Sequence, residues 1–416
     1  MLLAIRWQKK MLGILETDYW FEIGYEYAGA VAYGYSRFIE AQAKQNNIEQ
    51  ILFIARDGYT LQKVFETFNA DMKGNYVYAP RFLNLICRLD YEKRHQFQPK
   101  IIVDYYIKKS ADLKSAYESV IFNDSIDYHN FILNNREVIE KLADKEYEPY
   151  KNYLSRIVVD DKICFVETIT GMFSVQRLLE DALRRKIYGI YWTIIDASRA
   201  NIDQNVNFCD WKTHKNIKNW DFVELLLTAP EYPIKGIDAS GSPIYDQNPT
   251  EYETTRKNLY PAVSNGALLF AQDIKEIFGG NDIFLDSKTL VEWINIFCDN
   301  PSAKDIKNMA LVFHSTESDH RDYIPIFSKL IPFSYALRRP KKAIKEIKSL
   351  PLAWRTNLQT LALCLKSPIK IKMRGIQRLQ IKFFPYLKNC YFNMILRFSD
   401  KCFYRISLGN DIENAK

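Results

Sequence analysis

Between residues 50 and 68 (QILFIARDGYTLQKVFETF) a fully apolar strand runs into a charged turn and then into an amphipathic helix. Ile51-Leu52-Phe53-Ile54 shows no polar alternation, the pattern of a strand covered on both faces. Leu61, Val64, Phe65 and Phe68 then recur at i, i+3, i+4 and i+7, the spacing of a helix that buries one stripe. A strand of this kind needs helices on two sides, which constrains the chain to a layered α/β structure with a mostly parallel sheet. The turn itself, Ala55-Arg56-Asp57-Gly58, sets a cation, an acid and a glycine where a strand ends and a helix begins. Open α/β sheets bind anions and substrates at such junctions.

A second junction of the same form spans 164–183 (CFVETITGMFSVQRLLEDAL). A strand over 162–166 leads to Glu167 and a loop with Thr168, Thr170, Gly171, Met172, Phe173 and Ser174. A helix follows, with Val175, Leu178, Leu179 and Ala182 on its inner face. Hydroxyls and a glycine ahead of a helix supply side-chain donors, backbone N–H groups and a positive dipole end, which together suit a phosphate monoester. Glu167 is placed to hold the 2- and 3-hydroxyls of a ribose whose 5-phosphate occupies the loop. Plainer roles compete: a tight turn with a local ion pair at Arg56-Asp57-Gly58, and helix capping by Glu167, Thr170 or Ser174.

Further strands are expected over 76–79 and 187–195, and helices over 18–47, 99–155 and 175–185. Arg81, past the 76–79 strand, is a further candidate phosphate ligand. Glu224, heading Leu225-Leu226-Leu227, is a candidate contact for an acceptor. Pro230, Pro233, Pro243, Pro249 and Pro261 make 221–262 read mainly as loop. The expected division is an α/β core over 1–262 with a helical insertion at 99–155, a helical extension over 263–335, and a basic amphipathic helical region over 336–416.

Charge supports a boundary near 330–340. Residues 331–416 hold 18 Lys+Arg against 4 Asp+Glu, leaving 39 against 46 in 1–330. The basic, aromatic tail suits an anionic membrane surface or docking on a partner, or is a small helical domain whose polar face is basic, and no nucleic-acid motif accompanies it. Seven scattered cysteines without a CxxC suggest a reducing compartment, and the opening MLLAIRWQKKM is too charged for a secretory signal. The expectation is a cytoplasmic protein able to sit peripherally on the inner membrane.

The strand–acid–Thr/Gly/Ser loop resembles the phosphoribosyl pyrophosphate loop of phosphoribosyltransferases, and strand–Arg56-Asp57-Gly58–helix resembles their pyrophosphate loop. Residues 20–200 also resemble a bacterial family of capsule and O-antigen clusters, usually labelled HAD-like hydrolases. The resemblance rests on Gly24-Tyr25-Glu26-Tyr27-Ala28-Gly29, the FIARDG segment, the 166–176 segment and ELLLTAP at 224–230. Some members of that family add ribofuranose 5-phosphate to surface glycans. The resemblance implies phosphoribosyl pyrophosphate (PRPP) as donor, a lipid-linked or free glycan as acceptor, and Mg²⁺ held mainly by the pyrophosphate. Arg56 and the N–H groups of Gly58 and Tyr59 would hold pyrophosphate, residues 168–174 the 5-phosphate, and Asp57 or Glu167 would act as base in an inverting transfer. Here Glu167 stands alone where phosphoribosyltransferases carry two adjacent acids. HAD phosphatase chemistry is excluded by Ala55, which stands where the nucleophilic aspartate would have to be. The resemblance implies an inner-membrane surface or a glycan-assembly partner for 336–416. The rival expectations are a nucleotide-sugar-dependent glycan transferase and a non-catalytic scaffold of a glycan-assembly complex acting through the tail.

Overall fold

The computed structural model describes residues 18–69, 71–80, 83, 99–171, 173–195, 207–211, 220–278, 283, 285–299, 301–315, 323–325, 393–398 and 402–407. Helix α1 (Tyr19–Ile23) starts at Asp18, whose carboxylate accepts the N–H groups of Trp20 and Phe21 at 2.9 and 3.0 Å. It passes through a π-helical turn, Gly24–Ala28, into α2 (Gly29–Gln45). Strand β1 (Gln50–Ile54), helix α3 (Gly58–Phe68) and strand β2 (Lys73–Val77) follow. Four helices come next: α4 (Pro99–Tyr106), α5 (Ala111–Glu118), α6 (Ser125–Asn134) and α7 (Arg136–Ile157). Then come β3 (Ile163–Thr170), α8 (Ser174–Leu183), β4 (Tyr188–Ile194), β5 (Phe208–Asp210) and α9 (Trp220–Leu227). A small hairpin of β6 (Ile234–Ile237) and β7 (Pro243–Tyr245) leads to α10 (Glu251–Phe278), α11 (Ser287–Asp299) and α12 (Ala303–Met309). Two further antiparallel pairs are β8 (Phe313–Ser315) with β9 (Tyr323–Pro325), and β10 (Asn393–Phe398) with β11 (Cys402–Ser407).

The central sheet has the order β2-β1-β3-β4-β5, and every pair in it is parallel. Its strands alternate between two cores. Ile51, Phe53, Cys164, Val166, Ile190 and Trp192 face Leu61, Val64 and Phe65 of α3 together with apolar residues of α2, α9, α10 and α11. Leu52, Ile54, Phe165, Tyr191 and Ile194 face Leu178 and Leu179 of α8 and Tyr150 and Leu154 of α7. Helices therefore cover both faces, the condition the apolar strands demand. Helix α7 serves two clusters: its second half packs on the sheet, and Ile139 and Ala143 in its first half close a separate core with α4, α5 and α6.

Helix α10 lies against the π-helical turn at a crossing that only glycine permits. A Cβ on Gly24 would sit 2.1 Å from the Val263 carbonyl oxygen, and one on Gly266 would sit 2.3 Å from that of Phe21. Tyr25 fastens the same crossing by donating to Asp273 at 2.6 Å. Part of the glycine-and-tyrosine pattern that carried the family resemblance is thus required by packing alone.

Several expectations change. Strand β3 continues to Thr170, so Thr168 and Thr170 are strand residues rather than loop residues. The proline-rich stretch 221–262 contains α9, β6, β7 and the first half of α10, with Pro261 inside that helix. Because α10 runs unbroken through residue 262, no boundary falls there. Strands β8 and β9 interrupt the region read as helical over 263–335. Within 336–416 only β10 and β11 are described, and they are paired strands where helix was expected. Arg81 and Met172 lie outside the described residues.

Candidate active site

Strands β1 and β3 are neighbours whose following helices pack on opposite faces of the sheet. At such a reversal a crevice opens beyond the strands' carboxyl ends, the usual ligand site of doubly wound sheets. The last β1–β3 register pair is Phe53 with Val166, so Glu167 is the first residue of β3 beyond it. A cavity of about 180 Å³ occupies this position, and both Arg56-Asp57 and Glu167 line it, as does Glu224. The two junctions, 110 residues apart in sequence, share one crevice.

Arg56 is held rather than loose. Its Nη1 donates to Glu253 Oε2 at 2.8 Å, and the same carboxylate pairs with Arg256, whose Nη2 lies 2.7 Å away. Arg256 then donates to Thr228 Oγ1 and the Ala229 carbonyl, both at 3.2 Å, and to the Glu231 carbonyl at 2.6 Å. One buried carboxylate therefore serves two arginines, and one of these arginines pins the 228–231 segment. Burial alone would raise the pKa of Glu253, but Arg56 and Arg256 outweigh it and hold the carboxyl at about 2, below its ordinary 4.5. Arg56 keeps 22% of its side chain exposed to the crevice, against 4% for Glu253. Of the two described arginines that line the crevice, it is the more exposed, since Arg256 keeps 7%.

Both helices that open at the crevice start without a side-chain cap. Asp57 precedes α3 in a helical conformation, and Phe173 precedes α8 in a left-handed one at φ 55°. Asp57 and Val175, from the two helix starts, line the crevice. Uncapped first-turn N–H groups and the positive ends of two helices favour anionic groups here. Among the described residues the lining also carries Asp57, Glu167, Glu224, Glu231 and Glu253 against Arg56 and Arg256, a formal charge of −3. An anionic ligand would have to bring a cation with it.

The predicted phosphate loop is more occupied than its sequence suggests. Thr170 Oγ1 accepts the Phe173 N–H at 3.0 Å, and the Phe173 ring is fully buried against Tyr191 and Phe208. Thr168 is buried in the strand. Gly58 is explained by packing, since a Cβ there would lie 2.7 Å from the Phe53 carbonyl carbon. The Tyr59 hydroxyl accepts from Lys63 Nζ at 2.6 Å. None of Gly58, Tyr59, Thr168, Thr170, Gly171, Phe173 and Ser174 lines the cavity. The Tyr59 N–H, expected to hold pyrophosphate, is instead given to the Arg56 carbonyl at 3.1 Å, so of this group only the remaining N–H groups at the two helix starts are suited to a phosphate.

A third wall was not foreseen. Tyr76 donates to Glu231 Oε1 at 2.6 Å, Tyr78 donates to Oε2 at 3.1 Å, and the hydroxyls of Tyr78 and Tyr245 lie 3.0 Å apart. Tyr78 and Glu231 line the cavity. Glu253 and Arg256 were missed because five prolines suggested loop. Yet positions 253, 256, 260, 263, 267, 270 and 274 are all buried, a stripe at helical spacing that the sequence does carry.

Neither protein-family models nor curated proteins give a match to this chain. The functional reading therefore stands on the crevice itself. Among the described residues no helix is long and apolar enough to cross a membrane.

Proposed function

We propose that the crevice binds PRPP with Mg²⁺ and transfers its ribofuranose 5-phosphate to a hydroxyl of a bacterial cell-surface glycan. The observation that carries this reading is the meeting, at one sheet reversal, of Arg56, Glu167 and two uncapped helix starts. A donor with an anionic group at each end matches two separate anion sites better than a ligand with one. No three His, Cys, Asp or Glu converge as a metal site among the described residues, so the cation would be held chiefly by pyrophosphate oxygens. With Asp57 as a carboxylate at the same rim, it would offset the negative lining and the charge of the leaving group.

The transfer follows from these placements. The acceptor hydroxyl oxygen forms a bond to the anomeric carbon from the side opposite the pyrophosphate. The carbon–oxygen bond to pyrophosphate breaks, and its electron pair leaves with that group. The hydroxyl proton passes to Asp57 or Glu167, the two carboxylates at the strand ends. Arg56 and the positive end of α3 stabilise the departing charge, and the N–H groups that open α8 fix the 5-phosphate. Inversion converts an α-linked donor into a β-linked product.

The test is thermal unfolding with PRPP and Mg²⁺, followed by mass spectrometry of a glycan acceptor for the gain of one phosphopentosyl unit. Stabilisation that needs both PRPP and Mg²⁺, lost in Arg56→Ala, supports the reading. Stabilisation by a nucleotide sugar and none by PRPP would replace it with the nucleotide-sugar transferase.

A further inference from the structure

The tyrosine–carboxylate wall has a hydrogen-bonding deficit that selects its ligand. Tyr78 gives its only hydroxyl proton to Glu231, so in its 3.0 Å contact with Tyr245 the proton comes from Tyr245. Tyr76 gives its proton to the other carboxylate oxygen. All three phenol protons are thus committed inside the wall, and a carboxylate has none to offer. The Tyr78 backbone N–H is taken by Tyr153 at 3.0 Å, and Pro80 and Pro233, which also line the crevice, have no N–H. What Tyr78 and Glu231 still offer the crevice is lone pairs, about two on the carboxylate and about one on the Tyr78 oxygen. Burial first, and then the neighbouring hydrogen bonds and Glu231, hold Tyr76 and Tyr78 well above the ordinary phenol range, so both stay neutral.

A surface of acceptors repels phosphate and carboxylate, which bring only further acceptors, and it matches a ligand rich in O–H donors. We infer that the wall formed by Tyr78 and Glu231 is a subsite for the hydroxyls of a neutral sugar, the acceptor of the transfer. The assignment to the acceptor rests on the function proposed above. The wall is also fixed relative to the cation, because Arg256 joins the Glu231 carbonyl to Glu253 and thereby to Arg56. Donor and acceptor would meet in a framework that is already assembled, which lowers the entropic cost of the encounter.

The experiment titrates the full-length protein with methyl β-galactopyranoside and with its uronate counterpart, followed by saturation-transfer NMR. Wild type, Tyr78→Phe and Glu231→Gln are compared, and each is also titrated with PRPP and Mg²⁺ by thermal shift. The neutral glycoside should bind at least about tenfold more tightly than the uronate. Glu231→Gln, which places an amide donor in the wall, should narrow that preference. Tyr78→Phe, which keeps the ring, should weaken the neutral glycoside alone, and the PRPP shift should be unchanged in both variants. Equal binding of the two glycosides overturns the subsite, as does absence of binding of the neutral one. Loss of the PRPP shift in both variants would place the donor's ribose there instead, which also overturns the inference. Absence of a PRPP shift in wild type with the glycoside preference intact would reject the transfer reaction and leave the neutral-sugar subsite standing.

Discussion

Replacing Glu253 by glutamine keeps the shape of the side chain and removes the one negative charge shared by Arg56 and Arg256. The two guanidinium groups then face each other across a neutral amide, with 4% of the side chain at position 253 and 7% at Arg256 exposed. A carboxyl held at about 2 instead of 4.5 corresponds to about 3 kcal/mol of folding stability at neutral pH. That figure agrees with the 3–5 kcal/mol (order of magnitude) typical of stripping one partner from a buried ion pair. For a chain of this size it amounts to a fall of about 4 °C in the thermal midpoint. The pH dependence gives the sharper assay. The folded-state pKa is depressed, so the contribution is fully present above pH 4.5 and disappears as pH falls from there to about 2. Urea unfolding of wild type at pH 7 and pH 3 should reveal this loss, and Glu253→Gln should lack that share of the pH dependence. A variant within 1 kcal/mol (a rough limit) of wild type at pH 7, with the wild-type slope below pH 4.5, would refute the shared-carboxylate account.

Gly24→Ala should destabilise by at least about 1–3 kcal/mol in urea titration, because backbone rather than a flexible side chain blocks the added methyl. Gly236→Ala, with nothing within 4 Å of its Cβ position, is the matched control and should change stability by less than about 1 kcal/mol. Arg184→Gly should stabilise by about 1 kcal/mol, since this exposed residue closes α8 in a left-handed conformation at φ 52°. Asp57→Asn and Glu167→Gln, assayed for phosphopentosyl transfer at saturating PRPP, should separate the base from its neighbour. The base variant should lose about a hundredfold or more in kcat, and equal small losses in both would remove these carboxylates from proton transfer.

The parallel sheet and the paired junctions were legible because their signals are local. An apolar run of four residues followed by a helical stripe admits few structures, and it occurs at Ile51–Ile54 and again before Glu167. The site's third side was not legible in the same way. Glu231 gains meaning only when Tyr76 and Tyr78 reach it from 155 and 153 residues away in sequence, with Tyr245 joined to Tyr78. Thr170 shows the opposite failure. Its hydroxyl looks available in the sequence, but a hydroxyl three residues ahead of a backbone N–H can satisfy the chain itself, and here it does. Prolines misled in a third way: Pro261 is accommodated inside α10, a helix kept in place by its buried stripe rather than by propensity.

The glycine crossing has a mechanical corollary. Glu253 and Gly266 are 13 residues apart on one helix, about 20 Å along its axis. If the crossing acts as a fulcrum, a tilt of α10 by about 5° there displaces the Glu253 end by roughly 1.7 Å, more than a 2.8 Å ion pair tolerates. Changes in the shape of the π-helical turn Gly24–Ala28 should therefore retune ligand affinity at the far rim of the sheet without touching any residue that a ligand meets.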